Sequence, residues 1–457
     1  MAGPPLPKIA FGPITLAVAL ALVAISLSRP AHADPKLQGV AEASIGYSDN
    51  IQSAPRVPVP GGAPKAAGAF LVLRPGLVLA SASARANHRL KYTYTYDLFF
   101  QQTNVSTSSN QLEYHAFFDL SPRVGLVVGA SAIQSNRYSA IVLTPPGAGV
   151  VNATPTGSGA FLLATADELM SFDLGPGLRG YEGMAVTEQT PLFDTVAPRT
   201  FGLASRVGAE RSFQANAVGA EARAEYSIIE GSLRPDGTAL GLQRQIIGTG
   251  VGLWRHDWSR DFTSRAEAGV LRVQRINTGR GFWEPAGSAS LAYVTEVGDA
   301  DLGYAHLVTT NPLLGQALLV DEVRLRGALP VTSKGEVLVA ASSGFQRGRL
   351  LDENATLAAH VDAILVDVGV AWQITDTLLL GLRYQHVEQI SDTRVPPLPL
   401  TFVRNSMMFG AAFRFPPERE MPHAYRAPQR VDRADEIRDA VEPAEGGTQL
   451  RPGGSGR

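Results

Sequence analysis

Cysteine is absent from the chain of 457 residues, and its absence excludes both a disulfide framework and a thiolate metal site. An excess of charge of either sign is missing too, since 40 basic residues stand against 42 acidic ones. This near balance argues against a nucleic-acid partner, which would need a basic face. With 45% hydrophobic and 18% charged residues, the composition also excludes disorder for most of the chain.

Long apolar runs are confined to the N-terminus. Lys8 precedes an almost unbroken apolar stretch at 14–27, and Ala31-His32-Ala33 then matches the small-x-small pattern of a cleavage site. We therefore predict a cleaved signal peptide over residues 1–33, with an uncleaved membrane anchor as the alternative. No later segment has 18 consecutive apolar residues, so we expect no membrane-spanning helix in the mature protein.

The common motifs of enzymes are absent as well. The chain has no Gly-x-Ser-x-Gly, no His-Glu-x-x-His and no glycine-rich phosphate loop followed by lysine. Its eight histidines are dispersed. We expect a protein that is not an enzyme and that needs no metal or cofactor. A lipid-modifying enzyme that assembles its site across several strands is the alternative from another class.

What the chain does contain is an alternation of apolar and polar side chains that recurs between Leu37 and Phe415. At 90–100 every second residue is apolar, whereas Arg89, Lys91 and Asp97 belong to the other parity. A strand alternates its faces with period two, so such a segment has one apolar and one largely polar face. Tilted strands of about 9–11 residues are long enough to cross a bilayer.

The alternation predicts eighteen strands. They are expected at 37–48, 66–80, 88–102, 111–120, 124–136, 161–173, 177–187, 200–212, 217–230, 242–255, 261–275, 285–297, 301–310, 319–329, 335–347, 358–373, 377–390 and 403–415. Sixteen strands are the alternative, because Gly175, Pro176 and Gly177 interrupt a blurred alternation at 161–187. The predicted connections are alternately short and long, which is typical of bacterial outer-membrane barrels and has no cause in a soluble sandwich or propeller.

The last predicted strand resembles the terminal strand of the bacterial outer-membrane β-barrel superfamily. From Val403 to Phe415 it alternates regularly, and it ends in phenylalanine. The first strand, at 43–51, is similar to first strands of that superfamily. The resemblance implies a closed transmembrane antiparallel up-and-down β-barrel over residues 34–415, in the bacterial outer membrane. It also implies as partners the outer-membrane lipid and lipopolysaccharide and the barrel assembly machinery.

Aromatic residues near the predicted strand ends suggest two girdles in the headgroup layers, as opposed to the scattered core aromatics of a soluble protein. The girdle candidates are Tyr47, Trp254, Trp258, Trp283, Trp372, Phe413 and Phe415.

If the apolar parity faces lipid, the other parity lines a lumen. The charged lumen candidates are Arg74, Arg89, Lys91, Asp97, Glu113, Asp119, Glu221, Arg223, Glu225, Glu267, Glu322, Arg324, Arg326, Arg383, Arg404 and Arg414. Most basic candidates fall from the fourteenth strand through closure to the third, and most acidic ones from the fourth to the eleventh. Opposed charge sectors would orient a polar solute. Alternatively the charges only pair with neighbours, as Arg223 would with Glu221 or Glu225.

A barrel of about 16–18 strands leaves an aqueous channel, and two channel functions compete. One is a porin-like diffusion pore for small solutes. The other is exopolysaccharide secretion beside a periplasmic export partner, by a loose resemblance to export barrels. The long loop at 137–160, uncharged after Arg137, and the tail at 416–457, predicted to be periplasmic and disordered, favour export slightly.

Overall fold

The structure is a computed structural model. It describes residues 35–51, 65–83, 85–101, 106–135, 160–192, 199–230, 242–295, 298–311, 316–332, 336–350, 360–392 and 401–417. The predicted signal peptide, the loop at 137–159 and nearly all of the C-terminal tail lie outside these residues. In the described residues, no helix is long and apolar enough to cross a membrane.

Eighteen antiparallel strands form one sheet. They are β1 Lys36–Ser48, β2 Gly68–Ala82, β3 Ala86–Phe99, β4 Thr107–Ser121, β5 Val124–Ser135, β6 Ala160–Gly175, β7 Leu178–Leu192, β8 Arg199–Phe213, β9 Asn216–Glu230, β10 Gln243–Asp257, β11 Phe262–Arg275, β12 Gly281–Thr295, β13 Gly298–Asn311, β14 Gln316–Pro330, β15 Val337–Leu350, β16 His360–Gln373, β17 Leu378–Asp392 and β18 Phe402–Phe415.

The count of eighteen is confirmed, and the blurred region at 161–187 is two strands. Pro176 and Gly177 alone connect β6 to β7, with Gly175 at φ +143° and Gly177 at φ +69°. Only glycine adopts such angles without strain, so these residues make the tight turn possible. The largest error in the predicted bounds is at β7, which was expected to end at residue 187 and continues to Leu192. All of its last five residues pair with β6, and the first two of them also pair with β8.

The sheet closes on itself between β1 and β18, where Gly39 lies opposite Phe415 and Ser48 opposite Ser406. Following the paired rows once around the barrel returns to β1 about 22 residues further along the strand. At about 4.8 Å between strands and 3.3 Å per residue, this stagger gives a strand tilt of about 40° and a backbone diameter of about 36 Å.

The connections differ between the two ends of the barrel. At the end where β1 begins, the turns are short, as at Pro122–Arg123 between β4 and β5. At the other end the connections include 49–67, 136–159 and 231–242. Outer-membrane barrels have short turns in the periplasm and longer loops outside the cell. We therefore call the first end periplasmic and the second extracellular.

Candidate functional site: the charged lumen wall

The inner face of the closed sheet is concave, and the residues on it share one parity. Only on this face do side chains from two strands that are separated by a third strand converge. Three polar contacts between such strands occur, and all of them lie on the same parity. The Tyr181 hydroxyl on β7 donates to Glu221 Oε2 on β9 at 2.5 Å. Arg223 Nη2 on β9 lies 2.9 Å from Glu267 Oε2 on β11, and the third contact joins Arg255 on β10 to Glu210 on β8. The face that carries these residues is the lumen wall.

All sixteen sequence-predicted lumen charges lie on this face, since the register carries one parity around the barrel and shifts only next to the turns, after Asp119 and after Asp173. Charges of the two signs are unevenly distributed along it. We call β14–β18 with β1–β3 the basic sector and β4–β13 the acidic sector. The described part of the basic sector has nine basic residues against four acidic ones: Lys36, Arg74, Arg89, Lys91, Arg324, Arg326, Arg383, Arg404 and Arg414 against Glu42, Asp97, Glu322 and Asp367.

The acidic sector has the opposite excess. Its described lumen face has twelve acidic residues against six basic ones: Glu113, Asp119, Asp167, Asp173, Glu210, Glu221, Glu225, Asp257, Glu267, Glu284, Asp299 and Asp301 against Arg179, Arg206, Arg223, Arg255, Arg265 and Arg275. The two walls of the lumen thus have net charges of opposite sign.

In the basic sector the ion pairs join neighbouring strands. Arg74 lies 3.4 Å from Glu42, which faces it directly in the β1–β2 register. Arg383 on β17 lies 2.5 Å from Asp367 on β16, and Gln385 also donates to that carboxylate at 3.3 Å. Each of these two arginines is therefore held by a carboxylate on the adjacent strand.

Two more neighbouring pairs lie where the sectors meet. Lys91 on β3 lies 3.1 Å from Glu113 on β4. Arg324 on β14 lies 3.6 Å from Asp301 on β13. The sector boundaries are thus neutralised by pairs, and the net charge of each sector resides away from them.

The other predicted lumen residues are distributed over the same face. Asp97 accepts a hydrogen bond from the Thr107 hydroxyl at 2.8 Å. Arg404, which is 3% exposed, donates to Gln385 at 3.2 Å. Arg326 is also buried. The register sets Arg89 opposite His115, Asp119 opposite Gly125, Glu225 opposite Ile247, Glu322 opposite Ala305 and Arg414 opposite Val40.

The acidic sector contains a continuous polar network. Glu221 accepts from Tyr181 on one oxygen and from the Arg223 guanidinium on the other. Arg223 then reaches Glu267, which also pairs with Arg265 at 3.2 Å. Only 2% of the Glu221 side chain is exposed, and a buried carboxylate is unfavourable unless it is paired and hydrogen-bonded. The network meets that requirement across β7, β9 and β11.

Small residues and an apolar layer lie beneath this network. A Cβ added to Gly208 would be 2.5 Å from the Tyr181 ring, so glycine lets this ring cross β8. Tyr181 also packs on a buried cluster of the lumen face, which is made of Ile247, Val251, Leu253, Leu271, Val273 and Ala286. The polar network therefore packs, through Tyr181, on buried apolar side chains that restrict its geometry.

The opposite parity carries large exposed apolar side chains, as a lipid-facing surface requires. On β12 the outward Trp283 and Tyr293 are ten residues apart, which is about 33 Å along the strand and about 25 Å along the membrane normal at a 40° tilt. This equals the height of the apolar band of known outer-membrane barrels. The protein is a closed transmembrane antiparallel β-barrel of eighteen strands.

The sequence-predicted girdle residues lie on this outer face or in a periplasmic turn, and all are exposed. Their exposed fractions are Tyr47 55%, Trp254 39%, Trp258 60%, Trp283 65%, Trp372 52%, Phe413 46% and Phe415 64%. Near the periplasmic end of the barrel, Trp254 stacks on His256 with ring centroids 6.0 Å apart, and His256 meets Trp258 edge to face at 4.3 Å. Near the extracellular end, Arg272 lies over the ring of Trp283 at 5.5 Å.

No protein-family model matches the barrel, and no curated protein matches it. Among solved structures, it is similar to Pseudomonas aeruginosa OccK2 (OpdF) in complex with glucuronate, at 14% identity and TM-score 0.43 over 84% of this chain and 98% of that one. P. aeruginosa OpdK with vanillate matches at 10% identity and TM-score 0.43, over 83% and 99%. The ferric-catecholate receptor Fiu of E. coli matches at 10% and 0.42, over 83% and 82%. At these values the assignment of the barrel rests on its own register and outer face.

Several lumen residues were not among the sequence candidates. Tyr181, Glu42 and Asp367 complete the contacts of Glu221, Arg74 and Arg383. The parity of each strand was a usable signal for all three, because each is an inward residue of a predicted strand. Their partners could not be named from the sequence, because the register between strands was unknown.

Among the described residues, no group of three or more histidine, aspartate or glutamate side chains could hold a metal ion. That the barrel is not an enzyme and needs no cofactor stays a prediction. So do its expected partners, namely outer-membrane lipid and lipopolysaccharide, the assembly machinery and a periplasmic export partner, and the exclusion of nucleic acid.

Proposed function

We propose that the barrel is a porin-like channel through which small polar solutes cross the outer membrane by diffusion. The observation that carries this proposal is the distribution of charge on the lumen wall. The basic sector, with its excess of basic residues, faces the acidic sector, with its excess of acidic residues. Opposed charges across a wet lumen produce a transverse field. A solute that carries both charge signs, or a strong dipole, is oriented by this field and passes preferentially.

The size of the barrel supports the same function. A backbone diameter of about 36 Å is too large for side chains from opposite walls to fill, as in 16–18-stranded porins. The two features that favoured export of a polymer, the loop at 137–160 and the tail at 416–457, lie almost wholly outside the described residues. Polymer export therefore has no support in the described part of the barrel, and passage of small solutes is the better supported function.

The test is planar-bilayer conductance of the refolded mature protein, with Arg383→Gln and Glu267→Gln as sector variants. We expect channel openings, and in a salt gradient the reversal potential should move toward cation preference in Arg383→Gln and toward anion preference in Glu267→Gln. Arg347→Gln is the control, because Arg347 pairs with Asp362 on the outer parity.

Three results would contradict the proposal. The absence of openings would exclude a channel. A reversal potential that responds equally to all three variants would exclude the transverse field. Block by soluble polysaccharide, without any effect of small sugars or zwitterions, would favour export.

A further inference from the structure

The ladder between β12 and β13 joins only the periplasmic parts of the two strands. It stops at the pair of Gly287 with His306. Beyond this pair, residues 281–286 of β12 pair with β11 alone, and residues 307–311 of β13 pair with β14 alone. We call this gap between β12 and β13 the seam. Along the seam, no strand pairing among the described residues joins the two sides of the wall.

A proline lies on the β12 side of the seam. The Val294 N–H donates to Asp261 O at 2.8 Å, just before β11. Since backbone groups alternate sides along a strand, the even-numbered residues of β12 direct theirs toward β11 and the odd-numbered ones toward β13. Pro285 therefore faces the seam, and it has no N–H to leave unpaired. Proline in a sheet is normally found on an edge strand, which β12 is at this position.

The seam reaches into the outer leaflet of the membrane. Trp283 marks the extracellular boundary of the apolar band, and Gly287, where pairing resumes, lies four residues further along β12. This is about 13 Å along the strand and about 10 Å along the membrane normal. An unpaired N–H is unfavourable in hydrocarbon. Between these two residues only position 285 faces the seam, so the proline leaves the edge of β12 without an unpaired N–H at this depth.

Beyond the seam, the extracellular ends of β13–β15 lie on the lumen side of β12. Val308 shares the outer parity of β13 with the exposed Tyr304, yet it packs on the buried cluster of the lumen face to which Ala286 belongs. Arg349 has the outer parity of β15, yet its Nη2 lies 3.4 Å from Oε1 of the lumen-facing Glu284 on β12. In both contacts an outer face meets an inner face. We call these ends the flap, which consists of residues 307–311, 316–320 and 348–350.

Burial on β14 agrees with two overlapping layers. Leu319 and Val320 point to opposite faces of the flap, and they are 6% and 0% exposed. Further along the same strand, the outward Val323 and Leu325 are exposed, as a lipid-facing wall requires. The flap is thus covered on its outer face, where it meets the wall of β10–β12. Because the two layers meet through side chains and share no ladder along the seam, they can part without loss of strand pairing.

We propose that the seam is a lateral opening between the lumen and the outer leaflet, through which the hydrocarbon chain of an amphiphile passes between β12 and the flap. The surfaces that would contact the chain are apolar, namely the cluster around Ala286 on the wall and Val308 on the flap. The pair of Glu284 with Arg349 holds the flap near its extracellular end. Since 47% of the Arg349 side chain is exposed, this pair is weak and separates readily.

The test uses single cysteines, because the natural chain has none. Ala286→Cys lies beside the seam, and Ala292→Cys is the control on the same face of β12, where both neighbouring strands are paired. The two alanines are 9% and 7% exposed. Refolded variants in lipid nanodiscs are labelled with a dodecyl maleimide dissolved in the bilayer and, separately, with a charged maleimide in water. We expect the ratio of the dodecyl rate to the charged rate to be severalfold higher for Ala286→Cys.

Two arginines of β15 provide a second, matched comparison in the Ala286→Cys background. Arg349→Gln removes the pair across the seam and should raise the rate of labelling by dodecyl maleimide about two- to fivefold. Arg347→Gln removes the pair with Asp362 on the adjacent strand and should leave this rate unchanged.

Equal ratios of the two rates at the two cysteines would overturn the proposal, and so would equal effects of the two arginine variants. Labelling does not require a flow of ions. A barrel without channel openings can therefore still show the lateral opening, and a conducting barrel can lack it, so the failure of one proposal is distinguished from the failure of the other.

Discussion

The two sectors of the lumen wall hold their charges in different ways. In the basic sector, Arg74 and Arg383 pair with carboxylates on the adjacent strand. In the acidic sector, Tyr181, Arg223 and Arg255 each reach across a whole strand to the next but one. A neighbouring pair adds little to what the backbone ladder already fixes. A contact across three strands also fixes the curvature of the wall, so we expect the acidic sector to be the more rigid side of the lumen.

The largest effect should follow the loss of Arg223. In Arg223→Met, Glu221 stays buried without its cation, and we expect a loss of about 2–3 kcal/mol in the free energy of unfolding, a value reduced from that of a fully buried pair because Arg223 is partly exposed. The measurement is urea or thermal unfolding of the refolded barrel in detergent.

Arg383→Met is the matched control in the basic sector. Its partner Asp367 is more exposed than Glu221 and keeps the hydrogen bond from Gln385, so the loss should be about 1 kcal/mol or less. Equal losses in the two variants would show that the sectors do not differ in rigidity.

The second effect concerns the glycine beneath Tyr181. Gly208→Ala places a methyl group 2.5 Å from the ring, and displacing the ring should cost about 1–3 kcal/mol of stability. Gly344→Ala on β15 is the comparison, because its added Cβ would be 3.9 Å from the closest atom. That change should be neutral or stabilising by up to about 1 kcal/mol. Both are measured by unfolding in detergent.

A double-mutant cycle tests the cause. In a Tyr181→Ala background, Gly208→Ala should cost less than about 0.5 kcal/mol, since the clash is gone. If the cost of Gly208→Ala is the same in both backgrounds, the ring is not what requires the glycine.

The smallest effect is expected at the boundary between the sectors. Lys91→Gln removes the pair with Glu113, but Glu113 keeps the Gln111 amide at 2.8 Å, and both charged side chains are a quarter exposed. The loss of stability should be below about 1 kcal/mol. A loss as large as that of Arg223→Met would mean that neighbouring pairs stiffen the wall as much as the contacts across three strands do.

Alternation alone predicted eighteen strands, with sixteen as the alternative, and it divided the residues of each strand between two faces. The side-chain period of two is a local property, and it needs no knowledge of neighbours. For this reason Arg89, Lys91 and Asp97 could be assigned to one face, and the outward Trp372 and Phe413 to the other, before any pairing was known. The connection lengths then distinguished the two ends of the barrel, again from the sequence alone.

What the tertiary structure decided is which residues meet. Glu221 and Arg223 are two apart in one strand, and their contact could be expected. The contacts of Tyr181 with Glu221 and of Arg223 with Glu267 depend on the registers of four strand pairs and on the curvature that brings alternate strands together. Register is set by pairing between segments far apart in the chain. No period within a single strand contains it, so the sequence determined the wall and the closed barrel determined its contacts.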